Sequence, residues 1–507
     1  MVTTLILGAC GGGGDGGPAA AAPEPWQQGV FAPMERFAAI CENPRRGTNP
    51  FTGQPFSDMA GSNLHEKNWL RAWTHELYLW FDEVPDVDPA ASLGTLEYFH
   101  TQKTGELTRS GQPKDRFHFT ASTASFTELL VDGTQLGYGA SWVALSLQPP
   151  REVLVAFVEP GSPAAQGALR RGEQVVAVDG VDLVNANDPR SIDLFNRALN
   201  PSAVGQRHVF SLRALGGVVR DVTLSAASIV VDPVPMTAVL EGGSVGYLLF
   251  NEHLESAEAG LVAAITTLRD AGVSDLVLDL RYNGGGIGTI ANQLAYMVAG
   301  NARTEGRVFE QISFNRKHEG LNPYTGKPLL PTLFHNRTLG FSRPANEPLP
   351  SLDLGRVFVL TGPGTCSASE LIINSLRGIG VEVIQIGGVT CGKPYGFFPT
   401  DNCGTAYFSI QIQSVNEQGF GDYPDGFAPE DFFGASSVSL PGCTVDDDYS
   451  RELGDPVEAQ LAAALEYRRD GRCGAFDSAA TAKRTRVVNA NGQMLRPTWR
   501  DALIHAP

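Results

Sequence analysis

A serine and a lysine in the stretch Arg356 to Gly396 have the types and placing that acyl-transfer chemistry needs. Ser367 follows an apolar run, Val357 to Leu360, and a Gly/Pro turn, and it precedes a helical stretch from about Ser369. Lys393 lies in the loop after a second apolar run, Val381 to Ile386. The pattern predicts strand, helix, strand. Parallel neighbours in such a unit bring their strand ends to one edge of the sheet, where a hydroxyl and an amine can meet. The backbone N–H groups after Ser367, at the positive end of the helix dipole, can steady negative charge on a substrate oxygen. A free lysine, with a pKa of about 10.4, holds its proton at neutral pH, so it can act as a base only when burial favours the neutral amine. Tyr395, Phe397 and Phe398 are the apolar neighbours that can supply that burial.

Other readings of these residues compete. Ser367-Ala-Ser-Glu370 fits a capping box, which needs no chemistry. Gly387 to Lys393 matches GxxxxGK, but Pro394 stands where a phosphate-binding loop places a hydroxyl and starts a helix. Gly242-Gly-Ser244-Val-Gly246 matches GxSxG, yet Ser244 falls between two strand-like runs and reads as a turn. His253 and His335 read as exposed or packing histidines, and no His/Cys/Asp/Glu spacing suggests a metal site.

The whole region resembles the carboxyl-terminal processing peptidases, tail-specific serine proteases with a Ser-Lys dyad. The matching residues are Ser367 to Ile372, Thr390-Cys391-Gly392-Lys393, and the glycine turn in Leu278-Asp-Leu-Arg281-Tyr-Asn283-Gly-Gly285-Gly286. The resemblance implies Ser367 as nucleophile, Lys393 as general base, and the amides of Ala368 and Gly285 as the oxyanion hole. The spacing is one residue longer than the family pattern. Placing the extra residue in the Gly378-Ile379-Gly380 turn keeps Ser367, in preference to Ser369, as the nucleophile. Many members carry a glutamine soon after the lysine, where this chain has Phe397; Gln411 or Gln413 is the candidate substitute for orienting Lys393. Upstream, Gly137-Tyr138-Gly139 and the segment GSPAAQGALRRGEQVVAVDG from Gly161 to Gly180 resemble a PDZ module. Such modules add a peptide strand to an open edge and hold its terminal carboxylate on a glycine loop, here Gly137, Tyr138 and Gly139.

With 507 residues the chain exceeds one ordinary core. Its net charge of −17 speaks against nucleic acid as a partner by simple repulsion. The expected organisation is a truncated lipoprotein signal (1–10), a Gly/Ala/Pro tether (11–30), a helical domain (31–125), a PDZ domain (126–230), a Ser-Lys peptidase core (231–470) and a tail (471–507). The expected fold class is α/β, a crotonase/Clp-like core with a mainly β PDZ domain. Leu7-Gly-Ala-Cys10 resembles a lipobox, with Cys10 as the lipidation site, although no Lys or Arg precedes it. Seven cysteines fit an exported protein. Proximity pairs Cys391 with Cys403 and Cys443 with Cys473, leaving Cys41 and Cys366 paired or free. The reading is an endopeptidase at the periplasmic side of a bacterial envelope, lipid-anchored to the outer membrane and acting without a cofactor on polypeptides through their free C-termini. The rival readings are an inactive PDZ-bearing peptide-binding scaffold and a hydrolase of small esters; oligomeric state is not legible.

Overall fold

In the computed structural model, residues 22–434, 437–474, 492–495 and the strand residues 503–504 are described. Cys10, the signal, most of the tether and most of the tail lie outside them. Near the start, α1 (Asn63–Leu77) and α2 (Thr95–Thr101) precede β1 (Phe119–Ser122). Trp69, Leu70, Trp73 and Leu77 recur at helical spacing and form a buried cluster with Tyr98 and Phe99, so these aromatics are core. This region is not self-contained. β1 joins a sheet with a core strand, and a disulfide links Cys41 to Cys403.

The PDZ unit follows: β2 (Ala140–Ser146), β3 (Glu152–Val158), β4 (Gln174–Val178), α3 (Pro189–Leu199), β5 (Arg207–Arg213) and β6 (Val219–Ser225). Its sheet runs β6-β5-β4-β3-β2, all antiparallel. Asp188 caps α3, accepting from the N–H groups of Arg190 and Ser191, with Pro189 at the first helical position.

In the core, β7 (Met236–Leu240), β8 (Val245–Leu249), α4 (Ala257–Ala271), β9 (Asp275–Asp279), β10 (Gly286–Ile287), α5 (Gly288–Ala299), β11 (Arg356–Thr361), α6 (Ala368–Gly378), β12 (Glu382–Gly387), β13 (Tyr395–Gly396), β14 (Thr405–Phe408), β15 (Gly442–Thr444) and α7 (Ala459–Asp470) are the elements that place the site. The main sheet has the order β7-β8-β9-β11-β12-β15. Only β7 and β8 are antiparallel. The inner strands β8, β9, β11 and β12 are buried on both faces, which is why they read as near-continuous apolar runs. Leu248, Leu276, Leu278, Val357, Val359 and Val383 face α4, α5 and α6. Tyr247, Val277, Phe358, Ile384 and Ile386 face α7 and the PDZ residues Val143, Leu154 and Ala156. The PDZ unit thus packs on the core through its own β2 and β3. As the sequence predicts, Ser244 is in a turn; its hydroxyl donates to the Glu241 carbonyl at 3.0 Å.

Two further strands come from the tail, β16 (Gln493–Leu495) on β2 and β17 (Leu503–Ile504) on β10. Among the described residues no helix is long and apolar enough to cross a membrane.

Candidate active site

Ser367 ends the turn between β11 and α6 with φ 60° and ψ −114°. A residue with a Cβ is rarely found there, at a cost of about 1–3 kcal/mol, and persists only when its surroundings hold it. Three contacts hold it. Its N–H donates to Glu370 Oε2 at 3.0 Å. The neighbouring Cys366 N–H donates to the Asn283 carbonyl at 3.1 Å. The Ser369 hydroxyl donates to that same carbonyl at 3.0 Å, so Ser369 is occupied structurally. The glutamate half of the capping box is therefore present, whereas the Ser367 hydroxyl is fully buried and makes no hydrogen bond.

Glu370 does more than cap. Its buried carboxylate also accepts from the Thr390 hydroxyl (2.5 Å), Gly392 N–H (2.7 Å) and Lys393 N–H (2.8 Å). Oε2 alone takes the backbone N–H groups of both Ser367 and Lys393. Burial pushes this carboxyl up, and the donors pull against it. The same two loops are joined covalently by a Cys366–Cys391 disulfide. This overturns the expected pairing of Cys391 with Cys403. Cys403 pairs with Cys41, and Cys443 pairs with Cys473 as expected. Arg116 ties the lysine loop down further, donating to the carbonyls of Cys391 and Pro424.

Lys393 is 1% exposed. Its Nζ lies 4.1 Å from the Phe397 ring centroid and 5.1 Å from that of Phe117, which reaches in from the N-terminal region. Phe397 thus faces the Lys393 Nζ directly. Gln411 is buried, but its Oε1 accepts from Phe398 N–H (3.0 Å) and the Tyr324 hydroxyl (2.9 Å). Gln413 is exposed, so it does not turn toward the lysine.

The glycine turn is built on Asn283. Its Oδ1 accepts from Gly285 N–H at 2.9 Å and lies 2.9 Å from His253 Nδ1, while its amide donates to the Phe250 carbonyl. Because that oxygen is an acceptor, His253 donates through Nδ1. Burial pushes the His253 imidazole down to about 3, so the packing histidine is neutral. Gly285 has φ +98°, and a Cβ there would lie 2.9 Å from Ala368 N, Cys366 O and Ser367 Cβ. Only glycine lets this backbone pass so close. The Gly285 N–H, expected to face an oxyanion, is in this structure spent on Asn283.

In the PDZ loop, Tyr138 is buried, 5.6 Å from the Phe210 ring centroid, and the carbonyls of Tyr138 and Gly139 accept from Ala164 and Glu159 N–H. The PDZ unit reaches the glycine turn through Arg171, which pairs with Asp447 at 2.6 Å and donates to the Tyr282 hydroxyl. Asp447 also holds Arg281, which continues to Glu458 and Asp279. Burial raises the Asp447 carboxyl, but Arg171 and Arg281 more than offset it and hold it well below the usual carboxylate range. Sequence reasoning missed Asn283, Arg116 and the Arg171–Asp447 pair. It also missed the Cys366–Cys391 bond, although each cysteine stands within two residues of a proposed dyad member.

Residues 244–401 match the family described as Peptidase family S41, and residues 129–198 match the PDZ domain. The chain is thus similar to Peptidase family S41 over its core and to the PDZ domain over the segment before it. It is 24% identical over 253 residues to the carboxyl-terminal-processing protease of Picosynechococcus, covering 49% of this chain and 53% of that protein. It is 29% identical over 150 residues to the chloroplastic C-terminal processing peptidase of Tetradesmus obliquus, covering 27% of this chain and 31% of that protein. The chain thus spans about half, or less, of the curated relatives it matches. In fold it is similar to a putative S41 protease of Bacteroides fragilis, with 21% identity, a TM-score of 0.59, and coverage of 80% of this chain and 97% of that one.

Proposed function

We propose that this chain is a serine endopeptidase of the carboxyl-terminal processing type. Ser367 Oγ attacks a peptide carbonyl, and its proton passes to the neutral amine of Lys393. The lysine then gives that proton to the leaving amine, and water resolves the acyl-enzyme by the reverse transfers. Ala368 N–H, at the head of α6, receives the oxyanion; Gly285 N–H joins it on leaving Asn283 Oδ1. Gly137, Tyr138 and Gly139 take the free carboxylate of the substrate, and Gln411 remains the residue proposed to support the lysine from beyond Phe397. The protein is exported to the periplasmic side of a bacterial envelope, with Cys10 as its lipid anchor in the outer membrane.

The observation that carries the reading is the shared carboxylate of Glu370, which holds a strained, buried serine and a buried lysine on one oxygen. The test is a fluorophosphonate probe and an unfolded protein substrate, offered to the wild type and to Ser367→Ala and Lys393→Ala. Labelling and cleavage by the wild type alone support the dyad. A folded, oxidised wild type that neither labels nor cleaves, yet binds peptide, would mean a scaffold instead.

A further inference from the structure

The PDZ sheet does not end at β2. Residues Gln493 to Leu495 add to its edge, antiparallel, with Gln493 opposite Ala144, Met494 opposite Val143 and Leu495 opposite Trp142. β2 is the strand that follows the Gly137–Gly139 loop, so it is the edge on which a PDZ module receives an extended peptide. The register sends the added segment toward that loop, the direction a substrate tail would take. Successive strand side chains point to opposite faces. Accordingly, Leu495 packs on the PDZ cluster around Trp142 and Phe210, and Met494 packs on the core cluster that contains Tyr282 and Phe358.

Further along the same segment, Leu503 and Ile504 run parallel to Gly286 and Ile287. That short strand begins one residue after Gly285, where an added Cβ would lie 2.9 Å from Ser367 Cβ and Ala368 N. Two short strands, Gln493–Leu495 and Leu503–Ile504, thus pair by backbone, one with the PDZ edge and one beside the glycine turn.

We propose that Gln493–Leu495 and Leu503–Ile504 act as intramolecular ligands, the first of the PDZ edge and the second of the strand beside the glycine turn, which an incoming polypeptide must displace. The inference rests on the peptidase reading for its consequence, but its central claim is about binding. An occupied site lowers apparent affinity by the fraction of time it is free.

The test uses the full chain in the Ser367→Ala background, where nothing is cut. A fluorescent synthetic peptide of residues 490–507 is titrated against that protein, and against versions carrying Met494→Asp or Leu503→Pro. The aspartate puts a charge into the apolar joint, and the proline removes a ladder N–H. Met494 borders the core cluster, so the thermal midpoint of each variant is compared with the parent, and Leu503→Pro keeps the test decisive if Met494→Asp fails to fold. The expected result is peptide binding roughly tenfold tighter or more in each variant than in the parent. With Ser367 restored, the same variants should cleave a model substrate faster. Equal peptide affinity in parent and variants, or none in any, would overturn the proposal. Tighter binding in the variants without cleavage by any protein would uphold it and count against the peptidase reading alone.

Discussion

Two joints bring the working parts of this molecule together, and they are made from opposite materials. The joint between the nucleophile turn and the lysine loop is a disulfide, Cys366–Cys391, backed by one buried carboxylate with four donors. The joint between the PDZ unit and the glycine turn is a buried chain of charges, Arg171–Asp447–Arg281–Glu458. A covalent joint fixes distance regardless of salt or pH. An ionic one holds only while every partner is present, because a lone buried charge is strongly unfavourable. The difference teaches which part of the molecule is built to be constant and which to be adjustable.

The largest effect is expected from breaking the ionic joint. Arg171→Ala leaves Asp447 facing Arg281 with half its compensation gone, and such a loss destabilises by about 3–5 kcal/mol. A denaturation midpoint lowered to that degree would establish the joint; one unchanged would show that apolar packing through Val143 and Leu154 suffices. The pH response has a definite sign. Asp447 has a lowered carboxyl in the folded state, so its stabilisation is present above the unfolded carboxylate range and is lost as pH falls through its depressed value. Mild acid should therefore leave the joint closed.

Next comes the covalent joint. Cys366→Ser with Cys391→Ser should lower stability by about 3 kcal/mol and slow cleavage, since Glu370 and the bond from Cys391 N–H to the Thr365 carbonyl must then hold the two loops. The matching Cys443→Ser with Cys473→Ser pair serves as the comparison, because that bond lies away from Ser367 and should lower stability without slowing catalysis. Equal catalytic loss in both pairs would remove the distinction.

The smallest effect sharpens the site itself. Phe397 sets its ring against the ammonium of Lys393, a contact that favours the charged form by about 1 kcal/mol. Phe397→Leu keeps the site apolar and removes that contact, so the rise of kcat/KM with pH should move to lower pH by less than about one unit. A shift the other way would mean that the ring mainly excludes water.

The sequence made the architecture legible because buried parallel strands and glycine turns leave local marks. The run Val357 to Leu360, the helix after Ser367 and the return strand all stand where the apolar pattern puts them. The PDZ segment announced itself through its turn. What did not show were partnerships across distance. Cys391 and Cys403 are near in sequence, yet the strands between them carry Cys403 to the sheet that holds β1, beside Cys41, while Cys391 stays at the nucleophile. Asn283 likewise looks like an ordinary turn residue; its role depends on His253 and Cys366, which only the fold brings to it.

The Cys41–Cys403 bond has a sequence separation of 362 and encloses the Cys366–Cys391 bond within it. A chain that meets an oxidant in order of emergence offers Cys41 both Cys10 and Cys366, the residue beside Ser367, before Cys403 arrives. Every bond open to it until then is a wrong one, and the one to Cys366 would seize the nucleophile turn. Maturation of this protein is therefore a problem of thiol exchange as well as of folding, and the speed of disulfide reshuffling sets when an assembled site first exists.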